Sequence, residues 1–338
     1  MSMFAETIGP EHEFRHVPDD TSAYNESTYY NFASAESGVV GWVRVAVQQN
    51  RSAAQTSVLI FLPEGRTLVA FGRETDPVPD AFTAGSLTID IDEPHRRQRI
   101  TFAGPMSVFD DPRALADPGP ALRGAPRVQV RLELSVTGAG VSFGTSGDDP
   151  DRVVEKSLAL GHYEQFTRLE GTLRVDDRSI AVRGGGLRDH SWGPRDWSGL
   201  RYHRWITAVL GDGEAVMALE VGRQDGAVVR TAATTAGGVT AEAQLTDLRV
   251  TWTPDGFGRE VTCELGPLHL TGTARAPEQF VPLRHVTPGP DGSHAVTRIG
   301  YSSYEFTTTD GRHGLGIVEM LDQLVDGMPI GMGTPESR

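Results

Sequence analysis

The chain has 338 residues, of which 38% are hydrophobic, and its 31 Lys and Arg stand against 45 Asp and Glu, a formal net charge of −14. This length suits two ordinary domains, and an acidic surface repels phosphate backbones and anionic lipids, which argues against nucleic acid or a membrane surface as a partner. No window approaches the ~20 apolar residues of a membrane span, the N-terminus lacks the basic start and apolar core of a signal peptide, and a lone cysteine excludes an intrachain disulfide. We therefore expect a soluble cytoplasmic protein.

Apolar and polar residues alternate along most of the chain, which is typical of β-strands that bury one face. Strand patterns with short turns between them predict antiparallel hairpins. In chain order, the clearest patterns are a hairpin that turns at residues 63–65, runs of alternation at 86–92 and 127–136, turns at 176–177, 211–213 and 254–256, and a run at 248–253. Helical patterns are scarce: we expect one turn within residues 111–124 and a short helix at 319–324. The sequence predicts an all-β protein.

Residues 183–205, RGGGLRDHSWGPRDWSGLRYHRW, differ from this background. Glycines at 184 to 186 allow another chain or a ligand to approach closely, and the segment separates two sets of hairpins. Such hairpins close into barrels or stack as sandwiches. We therefore predict an N-terminal arm at 1–22 and two β domains at 23–186 and 187–338. The predicted structural junction between the domains consists of Gly184, Gly186, Gly193, Arg195, Asp196 and Trp197.

The same segment carries residues suited to proton transfer. Asp189 and His190 combine a carboxyl with an imidazole, and Trp192 supplies an apolar wall that raises carboxyl pKa values. We predict Asp189 and His190 as catalytic residues and Trp192 as a ligand contact. The alternative is structural, with Arg188 and Arg195 pairing the acids to clamp two domains together.

Further candidate ligand contacts lie on strands on either side of the segment. Glu26 and Tyr30 share parity on the first predicted strand, and His203 and Trp205 share parity after the segment. Each pair is either a set of polar handles for a ligand or ordinary surface and core residues. Glu220 and Glu319 lie in apolar runs, where a carboxylate must find a partner or face a cavity, and Glu164 shares a strand face with His162 and Phe166. Such carboxylates are expected to pair with Arg188, Arg195 or Arg204.

Nothing in the sequence indicates a cofactor. The phosphate-binding glycine loops and the nucleophile elbow of hydrolases are absent, and we predict no metal site from the ten scattered histidines.

The segment GGGLRDHSWGPRDW resembles the Gly-x-Gly-x-x-Asp-x-x-Trp-Gly signature of the lipocalin-like superfamily that includes carotenoid 1,2-hydratases, AttH-like proteins and fungal decalin-forming Diels–Alderases. Gly184, Gly186, Asp189, Trp192 and Gly193 carry the match, and the full segment is most similar to actinobacterial proteins of unassigned function. Residues 24–50, 161–180 and 311–321 resemble the flanking strands of that group. The tyrosine that many relatives carry two residues before the aspartate is replaced by leucine.

The resemblance implies two lipocalin-like antiparallel β-barrels, or curved sandwiches, with the signature near their junction. It also implies an aspartate acid at Asp189. Function is then expected to be cofactor-independent acid–base catalysis on a terpenoid, steroid or polyketide type of molecule, by hydration, isomerisation or cyclisation. The alternative is a non-catalytic carrier of a lipophilic metabolite. A hydrophobic small molecule is the expected partner, and a homodimer is compatible with the sequence.

Overall fold

The structure is a computed structural model that describes residues 2–78, 80–149, 159–211, 213–276, 279–288 and 294–332. Strands dominate it and form two large antiparallel sheets. The strands of the first sheet are β1 (Tyr24–Ser34), β2 (Val39–Gln48), β3 (Ala53–Phe61), β4 (Thr67–Thr75), β5 (Phe82–Ala84), β6 (Leu87–Glu93), β7 (Arg97–Phe109), β8 (Arg127–Gly138), β9 (Phe143–Thr145), β10 (Gly161–Val175) and β11 (Arg178–Pro194).

The second sheet is built from the rest of the chain. Its strands are β12 (Leu200–Val209), β13 (Ala215–Arg223), β14 (Val228–Ala236), β15 (Val239–Ala243), β16 (Leu245–Trp252), β17 (Gly258–Leu265), β18 (Leu268–Ala274), β19 (Val281–Pro288), β20 (His294–Thr308), β21 (His313–Val325) and β22 (Met328–Pro329).

Helices are short. The one α-helix is α1 (Pro118–Gly124), and 3-10 turns cover Pro10–Glu13, Gln49–Arg51, Pro112–Ala116, Trp197–Gly199 and Ile330–Met332 among the described residues. The expected helical turn within residues 111–124 is confirmed. The expected helix at 319–324 is wrong: these residues lie in β21, where pairing with β12 and β20 satisfies their backbone on both sides. None of the helices in the described ranges has the length and apolarity to span a bilayer.

The first sheet closes on itself. Its strand order is β4-β3-β2-β1-β11-β10-β8-β7-β6-β5, and β4 also pairs with β7. The alternation predicted for residues 127–136 is confirmed, since Val130, Leu132 and Leu134 are buried between exposed neighbours. They belong to an apolar core with residues from nearly every strand of the sheet. The closed antiparallel sheet agrees with the all-β, lipocalin-like fold predicted from the sequence.

The second sheet has the order β15-β14-β13-β12-β21-β20-β18-β17-β16, with β19 paired to β20 and β22 to β21. Its own apolar core includes Ile206, Ala208, Val216 and Phe306. The outer faces of the two sheets pack on each other through a third apolar layer, which contains Trp42, Leu59 and Leu321. The site described below lies within this layer.

The glycines of residues 183–205 lie where β11 passes close to its neighbours. A Cβ on Gly184 or Gly186 would lie 2.0 or 1.9 Å from a backbone oxygen of β1, and one on Gly185 would lie 3.2 Å from Val209 of β12. Strand β11 runs through the predicted boundary after residue 186 and ends at Pro194. The division at 186 therefore stays a prediction, while the strands change sheets between Pro194 and Leu200.

Candidate functional site

A cavity of about 230 Å³ lies between the two sheets. This is far more than the ~10–15 Å³ that one water molecule occupies by the same kind of measure. Most of its wall is apolar, formed by Met3, Phe143, Ala159, Trp197, Trp205, Leu219 and Val221. Its polar lining consists of Ser2, Ser27, Tyr29, Arg44, Gly144, Thr145, His162, Glu164, Asp189, Ser191, Arg195, His203, Thr231, Tyr301 and Glu319.

Strand register brings one polar face together on the first sheet. Across β1, β11 and β10, Tyr29 pairs with Asp189, and Asp189 pairs with Glu164. These three side chains point out of the closed sheet into the cavity. Because successive side chains point to opposite faces, His190 points the other way and does not line the cavity.

Asp189 is paired with a histidine. Its Oδ2 lies 2.5 Å from Nε2 of His162, two positions before Glu164 on β10. Burial opposes ionisation of Asp189, but the charge and the hydrogen bond of His162 outweigh it and lower the pKa of the carboxyl. Burial lowers the pKa of His162, but the charge and the hydrogen bond of Asp189 outweigh it, so the net shift of this pKa is upward. Each group therefore favours the charged form of the other.

Glu164 is in the opposite state. Burial raises the pKa of its carboxyl to about 8, and the Asp189 charge raises it as well, against the opposing effect of His162. Its Oε1 lies 3.9 Å from Nε2 of His162. The carboxyl of Glu164 thus keeps its proton at neutral pH, while that of Asp189 loses it. Two carboxyl groups held in different protonation states are the arrangement that acid–base chemistry requires.

The second sheet supplies the facing wall. His203 and Trp205 of β12 both line the cavity, and Nε2 of His203 lies 2.9 Å from Oε1 of Glu319 on β21. Tyr301 of β20 completes this side, and its ring lies 4.7 Å from that of Trp42.

The predicted junction residues after Gly193 lie beside the cavity. Gly193 has a φ of +119°, which a side chain rarely adopts. Arg195 and Trp197 line the cavity, with the guanidinium 5.1 Å from the centre of the indole. Asp196 caps the 3-10 turn Trp197–Gly199 by accepting a hydrogen bond of 2.9 Å from the backbone N–H of Ser198.

Three predicted ligand contacts lie elsewhere. Tyr30 packs in the core of the first sheet and is fully buried. Glu26 and Trp192 contact the N-terminal arm: Trp192 stacks on His16 with ring centres 3.7 Å apart, and Glu26 accepts from Arg15 Nε at 2.7 Å. None of the three lines the cavity.

We call His12, Arg15, His16, Glu26 and His190 the arm cluster. Oε1 of Glu26 lies 2.8 Å from Nδ1 of His16 and 3.1 Å from Nε2 of His190, and donor atoms of these three residues lie within 4.8 Å of one another. A metal ion could use these three atoms, but Glu26 is already paired with Arg15 and two imidazoles. His12 and His16 have the His-x-x-x-His spacing that is typical of metal ligands. The prediction of no metal site did not take this spacing into account.

Arg188, which we considered as a partner of Asp189, points away from the cavity. It forms a buried ion pair with Glu13 of the arm, and its Nε donates to Oε1 of Gln165 at 2.8 Å. The Oη of Tyr163 donates to the same Glu13 at 2.7 Å. The arm thus fills this end of the closed sheet with a paired network.

No site role was predicted for Arg44, His162, Thr231 or Tyr301. They lie on four strands far apart in the chain, and only pairing between strands brings them to one cavity. His162 alone had a usable signal, because it shares a strand face with Glu164.

Solved structures with the same fold include three relatives at low identity. A protein of Nitrosomonas europaea assigned as AttH is 14% identical, with a TM-score of 0.62, over 94% of this chain and 97% of that one. Kievitone hydratase from Nectria haematococca is 10% identical, with a TM-score of 0.51, over 95% and 97%. CghA with Sch210972 is 15% identical, with a TM-score of 0.52, over 95% and 96%.

These similarities confirm the predicted lipocalin-like fold. Residues 9–324 match the model of a family described as a domain of unknown function, DUF7064. Among proteins with curated functions, none matches the sequence.

Proposed function

The chain belongs to the DUF7064 family, and we propose that it is a cofactor-independent enzyme that acts on a hydrophobic small molecule by acid–base catalysis. Hydration, isomerisation and cyclisation are the reactions that such a site can perform. The observation that carries the proposal is the triad Glu164–His162–Asp189 on one wall of a mainly apolar cavity. The name of kievitone hydratase, which shares the fold, supports a hydration.

Each member of the triad has a separate role. The protonated carboxyl of Glu164 donates its proton to an alkene carbon or a carbonyl oxygen of the substrate. The carboxylate of Asp189 accepts a proton from water in a hydration, or from a neighbouring carbon in an isomerisation. Protonated His162, whose Nε2 lies 2.5 Å from Asp189 and 3.9 Å from Glu164, then gives its Nε2 proton to the Glu164 carboxylate and takes up the proton held by Asp189, which restores the starting state.

These roles change the assignment made from the sequence. Asp189 keeps a catalytic role but acts as the base, because His162 holds its pKa low. The acid becomes Glu164, whose burial holds its proton in place. His190 has no direct part, since it contacts Glu26 on the inner face of β11.

The negative charge left on Glu164 after it donates its proton is also stabilised by the site. The imidazolium of His162 lies 3.9 Å from the Glu164 carboxyl and stabilises the carboxylate that forms. The apolar wall, with Phe143, Trp205, Leu219 and Val221, holds the hydrocarbon part of the substrate and keeps bulk water away. Low polarity strengthens each charge interaction within the cavity.

The test compares the protein with its Glu164→Gln variant in D2O. Geranic acid, geraniol, progesterone and chalcone are screened for binding through the fluorescence of the two cavity tryptophans, and bound compounds are then analysed by mass spectrometry. We expect at least one of them to gain either the mass of D2O or single deuterium atoms. The variant should bind equally well and react about 10²–10⁴-fold more slowly.

The matched control is Glu264→Gln, which removes a half-exposed carboxyl that pairs with His269 outside the cavity. It should react at the rate of the unchanged protein. Compounds that bind in the cavity and never gain deuterium would contradict the proposal and indicate a carrier.

A further inference from the structure

Two arginines line the cavity wall without a direct salt bridge among the described residues. Arg44 of β2 and Arg195 both line the cavity, and neither forms a salt bridge with any described residue. Arg195 donates one hydrogen bond, from Nη2 to Oγ of Ser191 at 2.9 Å. Its Nε is shielded from solvent and has no hydrogen-bond partner in the described part of the chain. Each guanidinium can therefore still donate hydrogen bonds.

The acidic groups of the cavity are engaged elsewhere. Asp189 is paired with His162, and Glu319 is paired with His203. The carboxyl of Glu164 is protonated. Asp189 and Glu319 still act through space on both arginines and favour their charged forms, but neither carboxylate forms a salt bridge with either guanidinium within the described ranges of the chain.

Unpaired cations are costly in such a place, because burial removes their hydration. Burial, with the charge of Arg44 adding to it, lowers the pKa of Arg195 to about 10. Burial likewise lowers the pKa of Arg44. An anion bound between the two side chains would remove this cost.

We infer that the substrate is an amphipathic carboxylic acid whose carboxylate binds between Arg44 and Arg195, with its apolar body against Trp205 and Leu219. This inference rests on the cavity proposed above as the active site. The planar fork of a guanidinium matches the two oxygens of a carboxylate. On the opposite wall, Oγ1 of Thr231 is also buried without a hydrogen-bond partner and can bond a further oxygen of the same ligand.

Such an anchor also serves the chemistry. A carboxylate held at two points places the rest of the molecule in a defined position relative to Glu164, which is how binding at a remote group lowers the entropic part of a barrier. A neutral hydrocarbon would lack this fixed point. The anchor therefore selects acids over the corresponding alcohols.

The test is isothermal titration calorimetry of three acids and their alcohols, at a pH of about 8 where carboxylic acids are ionised. The pairs are octanoate and octanol, decanoate and decanol, and naphthoate and naphthalenemethanol. We expect at least one acid to bind about 10- to 100-fold more tightly than its alcohol, the range expected for a charge-assisted hydrogen bond. If no acid binds more tightly than its alcohol, the inference is wrong.

Two variants locate the preference. Arg195→Gln and Arg44→Gln should each remove most of it and leave alcohol binding unchanged, while Arg195→Lys should retain part of it. The matched control is Arg249→Gln, because Arg249 is exposed and does not line the cavity. Circular dichroism verifies that each variant is folded. A preference for acids that survives in folded Arg195→Gln and Arg44→Gln would place the anion elsewhere and overturn the inference.

The outcome separates the anchor from the catalysis. Glu164→Gln should keep the preference for acids, since it leaves both guanidinium groups in place. Geranic acid, which has alkene carbons that Glu164 could protonate, would refute the enzyme and leave the anion site standing if it bound by this anchor and never took up deuterium.

Discussion

Glu164→Gln has a consequence for stability that needs no substrate. In the folded protein the pKa of Glu164 is raised from the ordinary 4.5 to about 8. Between these two values the folded chain holds a proton that the unfolded chain has released. Stability contributed by this carboxyl is therefore fully present at acidic pH and falls as the pH rises toward 8.

The size of the effect follows from the two pKa values. Each unit of difference corresponds to about 1.4 kcal/mol, so Glu164 costs the folded state up to about 5 kcal/mol once the pH exceeds its folded pKa. Glutamine has the same shape and does not titrate. Relative to the unchanged protein, Glu164→Gln should gain about 1.4 kcal/mol per pH unit between the two pKa values and gain nothing further above the upper one.

The assay is urea unfolding of both proteins from about pH 5 to about pH 9, the range that spans the shifted pKa. Subtracting one free energy of unfolding from the other removes the titration of groups that the two proteins share. An infrared carbonyl band at neutral pH that is absent in the variant would identify the protonated carboxyl directly. A difference in free energy that stays constant with pH would show that Glu164 titrates normally, and the role of acid proposed for it would fall.

Asp189→Asn should lower the pKa of His162, whose upward shift depends on that carboxylate, and histidine NMR titration measures it; an unchanged His162 would refute the ion pair. Gly186→Ala should destabilise the fold by roughly 1–3 kcal/mol or more, because its Cβ would lie 1.9 Å from a backbone oxygen. The control Gly300→Ala, whose Cβ would lie 3.6 Å from the nearest atom, should change the melting temperature little. Prolonged treatment with EDTA should leave the melting temperature unchanged, because the carboxylate of the arm cluster already pairs with Arg15; a large drop on chelation would show a bound metal there.

Local patterns in the sequence were enough for the fold class. Alternation at residues 127–136 and the short turns follow from the period of a strand, which depends only on neighbouring residues. The wrong prediction of a helix at residues 319–324 also came from a local pattern. Its apolar residues fit a helix as well as a strand in so short a run, and pairing with β12 and β20 decided between them.

Part of the site could be predicted from the sequence, and part depended on the tertiary structure. The sequence could mark Asp189, Arg195 and Trp197, because the signature concentrates chemically active residues in one segment. Alternation also indicates that Asp189 and His190 point to opposite faces, but it cannot say which face meets a cavity. That choice depends on how the first sheet closes and on which face packs against the second sheet.

Long-range strand pairing decided the rest. Arg44 lies more than a hundred residues before Asp189 and comes near it only because β2 pairs with β1 and β1 pairs with β11. His162 meets Asp189 through the hairpin of β10 and β11, whose turn the sequence did predict. The raised pKa of Glu164 could not be predicted from the sequence either, because it depends on burial and on charges that are near only in the folded structure. The residue types of this protein set which elements form, and the packing of the two sheets decided which of their side chains share one cavity.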